Sequence, residues 1–211
     1  MNDSRSDHAE APPLPNSRKA LDDLLDSMLQ HPDQHEKITA QIKEQFEQEQ
    51  APLIIDMCGF TRTTHQHGIV AFLLMIHEMH RVCCPAIREN GGKLIKTEAD
   101  NLFCLFDSVQ AALAASLVII ERLETVNLLL PEDRHLYASI GIGWGRVLNI
   151  ENHDLFGDEI NLACKLSEDI ATQNMVLLTE RAHEQLPARS DMTQRGLSIS
   201  GISLTYFELA R

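Results

Sequence analysis

Residues 91–103, GGKLIKTEADNLF, place Lys96, Glu98 and Asp100 around an acidic turn between two short apolar runs. Upstream, the apolar run PLIID ends in another carboxylate, Asp56. A carboxylate pair that leaves its other positions to water and phosphate is an oxygen-donor set suited to magnesium or manganese. Each acid also has an ordinary role. Asp56 suits the cap of a following helix, and Asp100 suits a hairpin turn. The choice depends on whether the fold brings the two together. The histidines of THQHGIVAFLLMIHEMHRVCC invite a zinc reading, but a zincin helix needs HExxH. Here His77 and Glu78 are followed by Met79, His80 and Arg81, so the second ligand is one residue early and arginine holds its place.

The elements that must position these acids are legible as periodicity. Residues 1–17 are polar and rich in proline near their end, and predict a disordered tail. A helical arm follows over 18–49. RKALDDLLDSMLQ carries Leu21, Leu24, Leu25 and Met28 at amphipathic spacing, and a second helix carries Ile38, Ile42 and Phe46, with Asp33 and Glu36 at capping-box spacing. From residue 50 the chain alternates: strand PLIID, a long helix over about 66–88, strands GGKLIKTE and NLFCLF as a hairpin, a helix over SVQAALAASLVIIERLETV, and a Gly-punctuated strand LYASIGIGWGRVLNI. Strand, helix, strand, strand, helix, strand is a ferredoxin-like βαββαβ core, of class α+β. A helix over about 158–170, a strand MVLLT, a short helix and a final hairpin extend it at the C-terminus. In such a sheet the first and third strands are antiparallel neighbours. Asp56 at the end of one and Asp100 at the start of the other then converge on one edge.

Composition narrows the partners. The 211 residues include 44% hydrophobic residues, enough for one core domain with an appendage. The formal charge of -13 repels phosphate backbones and anionic headgroups, which argues against nucleic acid. The apolar runs IVAFLLMI and AALAASLVII are shorter than a membrane span, so no membrane insertion is expected. No signal core is read at the N-terminus, and five cysteines without CxxC spacing read as reduced thiols, so a cytoplasmic protein is expected.

LIIDMCGFTRTT, NGGKLIKTEADNLFCLFDS, ASIGIGWGRVLNI and DLFGDEINLACKLSE, in this order and separation, resemble the catalytic domain of the class III nucleotide cyclases, the adenylate and guanylate cyclases. The resemblance covers about residues 50–209, and it implies a homodimer with two active sites at the interface. One subunit would supply Asp56 and Asp100 to two Mg2+ or Mn2+ ions, with the Met57 carbonyl as a further ligand. The segment Cys58, Gly59, Phe60 and Thr61 would offer backbone amides to the β- and γ-phosphates. The opposite subunit would supply Lys96 and Asp154 to the base, and Asn161 and Lys165 to the reacting centre. Adenine presents an acceptor at N1 and a donor at its 6-amino group, and Lys96 with Asp154 is a matching donor and acceptor. The resemblance therefore implies ATP as substrate and cyclic AMP as product. Asn161 and Lys165, four positions apart, share a helix face, a pattern an ordinary solvated face also shows.

Three positions depart from the family pattern. Lys165 stands where most active relatives have arginine, which keeps the charge and loses the planar fork. KTEAD replaces the usual KTIGD, so Glu98 and Ala99 flank the turn, and strand alternation places Glu98 on the face of Lys96, able to pair with it. The last hairpin reads SISGIS where relatives often carry a triphosphate-gripping lysine, leaving Arg146 or Lys93 to serve. Two further readings stay open: a weak or inactive cyclase-like regulatory or nucleotide-binding module, and a cyclase of other base choice, GTP or pyrimidine. Residues 18–48 are expected to set dimer geometry or dock a regulatory protein.

Overall fold

The computed structural model describes residues 15–58, 60–199 and 202–210. The chain divides between Glu47 and Gln48 into two compact units. Of the expected tail, residues 1–14 lie outside the described residues.

The first unit holds helices α1 (Arg18–Gln30) and α2 (His35–Phe46). Ser17 caps α1, its hydroxyl accepting from the Ala20 N–H at 3.2 Å. The stripe on α2 is as its spacing predicts: Ile38, Ile42 and Phe46 are buried. Its start is not. Pro32–Gln34 form a 3-10 turn and Gln34 is the cap residue of α2, so Asp33 caps nothing there; Pro32 opens the 3-10 turn, a position where its missing N–H costs no hydrogen bond.

The second unit begins within β1 (Glu47–Met57), followed by α3 (Phe60–Glu89), the hairpin β2 (Lys93–Glu98) and β3 (Asn101–Phe106), α4 (Val109–Asn127) and β4 (Ala138–Ile142). These strands lie in the order β2-β3-β1-β4, which is the ferredoxin-like arrangement. Residues 138–150 are not one strand. Gly143 and Trp144 break the run, and β5 (Gly145–Ile150) leaves β4 to pair with β1 and with β6 (Asp154–Phe156). Then come α5 (Asp158–Lys165), a π-helical turn (Leu166–Ile170), β7 (Val176–Thr179), α6 (Glu180–Glu184) and the hairpin β8 (Met192–Ile199) and β9 (Ile202–Leu209). Strand β7 runs parallel to β4 and carries β9 and β8 at the far edge of the sheet.

The central strand β1 is buried on both faces, which is why its sequence reads as a continuous apolar run. Leu53, Ile55 and Met57 join residues of α3 and α4, among them Met79, Ile87, Leu113 and Ile120, in one core. Ile54 faces the other way, into a smaller core with Ile95, Phe103, Val147, Leu155 and Ile160. That second face carries α5, whose backbone lies against β4. A Cβ added at Gly141 would fall 2.0 Å from the Ala163 carbonyl oxygen, so only glycine fits there.

Helix α3 bends at Gly68, whose φ of +81° leaves helical space. From there Gly68–Glu89 runs 22 residues and contains an 18-residue stretch of mean hydropathy 1.3, which is the length and composition of a membrane span and longer than the apolar run read from the sequence. Its Met75, Met79, Cys83, Ala86 and Ile87 belong to the core, whereas Ile69, Val70, Leu73 and Leu74 are exposed.

Candidate active site

The β1–β3 ladder runs antiparallel from Ala51↔Phe106 to Ile55↔Leu102, so Asp56 and Asn101 are next in register and Asp100 adjoins them. Glu98 pairs with Asn101, leaving Ala99 and Asp100 as a two-residue turn. Ala99 takes φ +51°, the left-handed region that such turns require at their first position and that glycine enters more easily. The two carboxylates are electrostatic neighbours. Burial raises the Asp56 carboxyl to about 7, and the charges of Asp100 and Glu168 add to the rise.

Glu168 and Asn101 had no distinguishing signal in the sequence. Glu168 lies in the π-helical turn, which is closed by Ala171 N–H donating to the Leu166 carbonyl at 2.8 Å. Its Oε1 accepts from Asn101 Nδ2 at 2.7 Å. Burial raises the Glu168 carboxyl as well, helped by the charges of Asp169, Asp100 and Glu98. Asn101 Oδ1 is buried without a hydrogen-bond partner. Asp56 and Glu168, both raised by burial and by the Asp100 charge, stand with an orphaned oxygen as a donor set that fits a divalent cation. Among the described residues, no three His, Cys, Asp or Glu side chains form a ready-made metal cage, so the arrangement is an open one.

The segment after β1 is partly engaged. Met57 is buried and pairs with Ala138 of β4. The Cys58 N–H donates to the Tyr137 carbonyl at 3.0 Å, and the Cys58 thiol lies 2.9 Å from the Ser139 hydroxyl. Gly59 lies outside the described residues. Phe60 and Thr61 open α3, where backbone N–H groups lack intrahelical partners.

Lys96 and Asp154 come together within one chain. A bulge between Leu94 and Lys96 makes Ile95 the extra residue of β2, so Lys96 rather than Ile95 faces Phe103. Ile95 turns into the smaller core, and the Lys96 ammonium lies 4.8 Å from the centre of the Phe103 ring. From there Lys96 Nζ donates to Asp154 Oδ1 at 2.9 Å and to Glu98 Oε1 at 2.6 Å. The pairing expected between Glu98 and Lys96 is thus present. Asp154 Oδ1 also accepts from the Leu155 N–H at 2.9 Å. Asn161 is exposed on α5, and Lys165 on the same helix donates to Asp169 at 2.6 Å. Glu159 holds the start of α5: buried, it accepts from the Thr179 hydroxyl at 2.6 Å and from the Trp144 N–H at 3.1 Å. Arg146 and Lys93 are both exposed.

No family model matches the chain. In the solved structure titled adenylate/guanylate cyclase/hydrolase from Silicibacter pomeroyi, 98% of that chain superposes on 78% of this one, with a TM-score of 0.66 and 26% identity. The fold is that of a class III nucleotide cyclase catalytic domain. Curated relatives carry adenylate cyclase names. One, from Streptomyces coelicolor, is 28% identical over 131 residues, or 62% of this chain. Another, from Rhizobium meliloti, is 26% identical over 142 residues, or 67% of this chain. This cyclase-fold chain spans 32% of the length of the Streptomyces coelicolor relative and 24% of the Rhizobium meliloti one.

Proposed function

We propose that this cyclase domain is an adenylate cyclase, converting ATP to 3',5'-cyclic AMP and pyrophosphate at a site shared between two copies of the chain. The observation that carries the reading is the meeting of Asp56, near the end of β1, and Asp100, in the β2–β3 turn, closely enough for one charge to act on the other. Asp56, Asp100 and the Met57 carbonyl would hold two Mg2+ or Mn2+ ions. When bound, such ions ease deprotonation of the ribose 3'-hydroxyl and neutralise charge developing on the phosphate. In the reaction the bond from the 3'-oxygen to the α-phosphorus forms, the bond to the β-phosphate oxygen breaks, and the hydroxyl proton is released. The amides opening α3 would bind the departing phosphates. Lys96 would donate to adenine N1 and Asp154 would accept from the 6-amino group. Asn161 and Lys165, released from Asp169, would meet the reacting centre from the second copy.

Incubating the purified protein with each of the four nucleoside triphosphates and Mn2+ or Mg2+ tests this. Cyclic AMP formed from ATP, and lost in Asp100→Ala, is the expected result; no cyclic product from any nucleotide overturns it. A second reading, a nucleotide-binding module without turnover, draws support from the engaged Cys58 amide and from the Lys165–Asp169 pair. ATP raising the melting temperature with no product formed would select it. For residues 18–48 we propose a role in dimer geometry or in docking a regulatory protein. Unchanged dimerisation and rate after removal of residues 1–48 would remove that role.

A further inference from the structure

Lys96 sits between two carboxylates, and the order across this edge is acceptor, donor, acceptor: Asp154, Lys96, Glu98. An ammonium has three N–H donors and no acceptor, so with both contacts made, one donor is still available. The two purines present opposite edges. Adenine offers a donor at its 6-amino group beside the N1 acceptor, and guanine offers the O6 acceptor beside an N1–H donor. An acceptor next to a donor serves adenine, and Asp154 with Lys96 is such a pair. A donor next to an acceptor serves guanine, and Lys96 with Glu98 is such a pair.

We propose that Glu98 is a specificity-determining residue that opens this site to guanine nucleotides as well as adenine nucleotides, Lys96 donating to O6 and Glu98 accepting from N1–H. The inference rests on the reading of Lys96 and Asp154 as the base-contacting pair. Two features of the structure equip Glu98 for this. Its side chain is 58% exposed, against 32% for Asp154 and 21% for Lys96, so it is the carboxylate most open to an incoming ligand. The bulge before Lys96 and the ring of Phe103 below it fix the ammonium that both purines would share. A carboxylate that only neutralised Lys96 would affect both purines alike, whereas one that reads N1–H affects guanine alone.

The test uses the full chain with Mn2+. It compares kcat/KM for ATP and for GTP, and the displacement of a fluorescent N-methylanthraniloyl-ATP by each nucleotide. Glu98→Leu is expected to lower the GTP-to-ATP ratio of kcat/KM about tenfold or more, the cost of losing a charged hydrogen-bond partner. Glu98→Asp is expected to retain part of the ratio, and position 98 is exposed enough to accept both changes without unfolding. A ratio unmoved by Glu98→Leu overturns the inference, as does an unsubstituted protein that binds ATP but not GTP; both outcomes leave the cyclase reading standing. An unsubstituted protein that binds neither nucleotide overturns the base-contact reading and the inference together.

Discussion

Two neighbouring clusters of charge meet at the β2–β3 hairpin, and they are in opposite electrostatic states. Around Lys96, one cation meets two carboxylates at 2.6 and 2.9 Å over an aromatic ring, so the group satisfies itself. Around Asp56, carboxylates face one another, and burial with like charge pushes Asp56 to about 7. A cluster already paired within itself gains little net binding from a ligand that shares its contacts, which favours selectivity over tight binding. A frustrated one gains from any cation that enters. The comparison therefore separates a recognition edge from a cation edge within one hairpin.

The largest expected break is Asp100→Ala, which removes a proposed cation ligand. Cyclic product should fall by at least about a hundredfold, read by product chromatography, in keeping with electrostatic stabilisation being the dominant catalytic contribution. The same change should lower the Asp56 carboxyl from about 7, because one of its like-charged neighbours is gone; a titration followed by NMR of the labelled carboxyl would show it. Next in size, Lys96→Ala leaves Asp154 and Glu98 facing each other without their shared cation. It should cost about 10- to 100-fold in kcat/KM for ATP, in line with losing a hydrogen bond to a charged group.

A pH scan sharpens the contrast. Asp56 binds its proton more tightly in the folded state than in the unfolded chain, whose carboxylates titrate near 4. The stabilisation from protonated Asp56 is present below that value and is lost as the pH rises through about 7. In EDTA the melting temperature should fall between pH 5 and pH 8, and added Mn2+ should reduce the fall. A melting temperature flat with pH in EDTA would argue that the cation edge is not frustrated. The smallest effect concerns the turn joining the two clusters. Ala99 pays for its φ of +51°, and Ala99→Gly should stabilise the fold by about 0.5 kcal/mol, the left-handed penalty less the entropy glycine adds to the unfolded chain, measurable by urea denaturation.

Much of the fold was legible because its signals are local. The stripe Ile38, Ile42 and Phe46, the alternation of strands and helices, and the turn acids all announce themselves within a few residues. What was misread depended on contacts made elsewhere. The run 136–150 reads as one strand, and its division into β4 and β5 follows from β5 pairing with β1 and β6, while buried Glu159 accepts the Trp144 N–H in the break. Asp33 reads as a cap, and a 3-10 turn beginning at Pro32 displaced it.

The residue types determined the chemistry available to this protein: carboxylates for hard cations, a lysine beside an acid for a purine edge, and apolar periodicity for a sheet covered by helices. The tertiary structure decided which of those groups meet. Glu168 reached Asn101 through a π-helical turn, and Lys96 reached Phe103 through a bulge. Each depends on a single extra residue in a turn or a strand, and the spacing of side chains along the chain does not encode that shift until partner elements are in place.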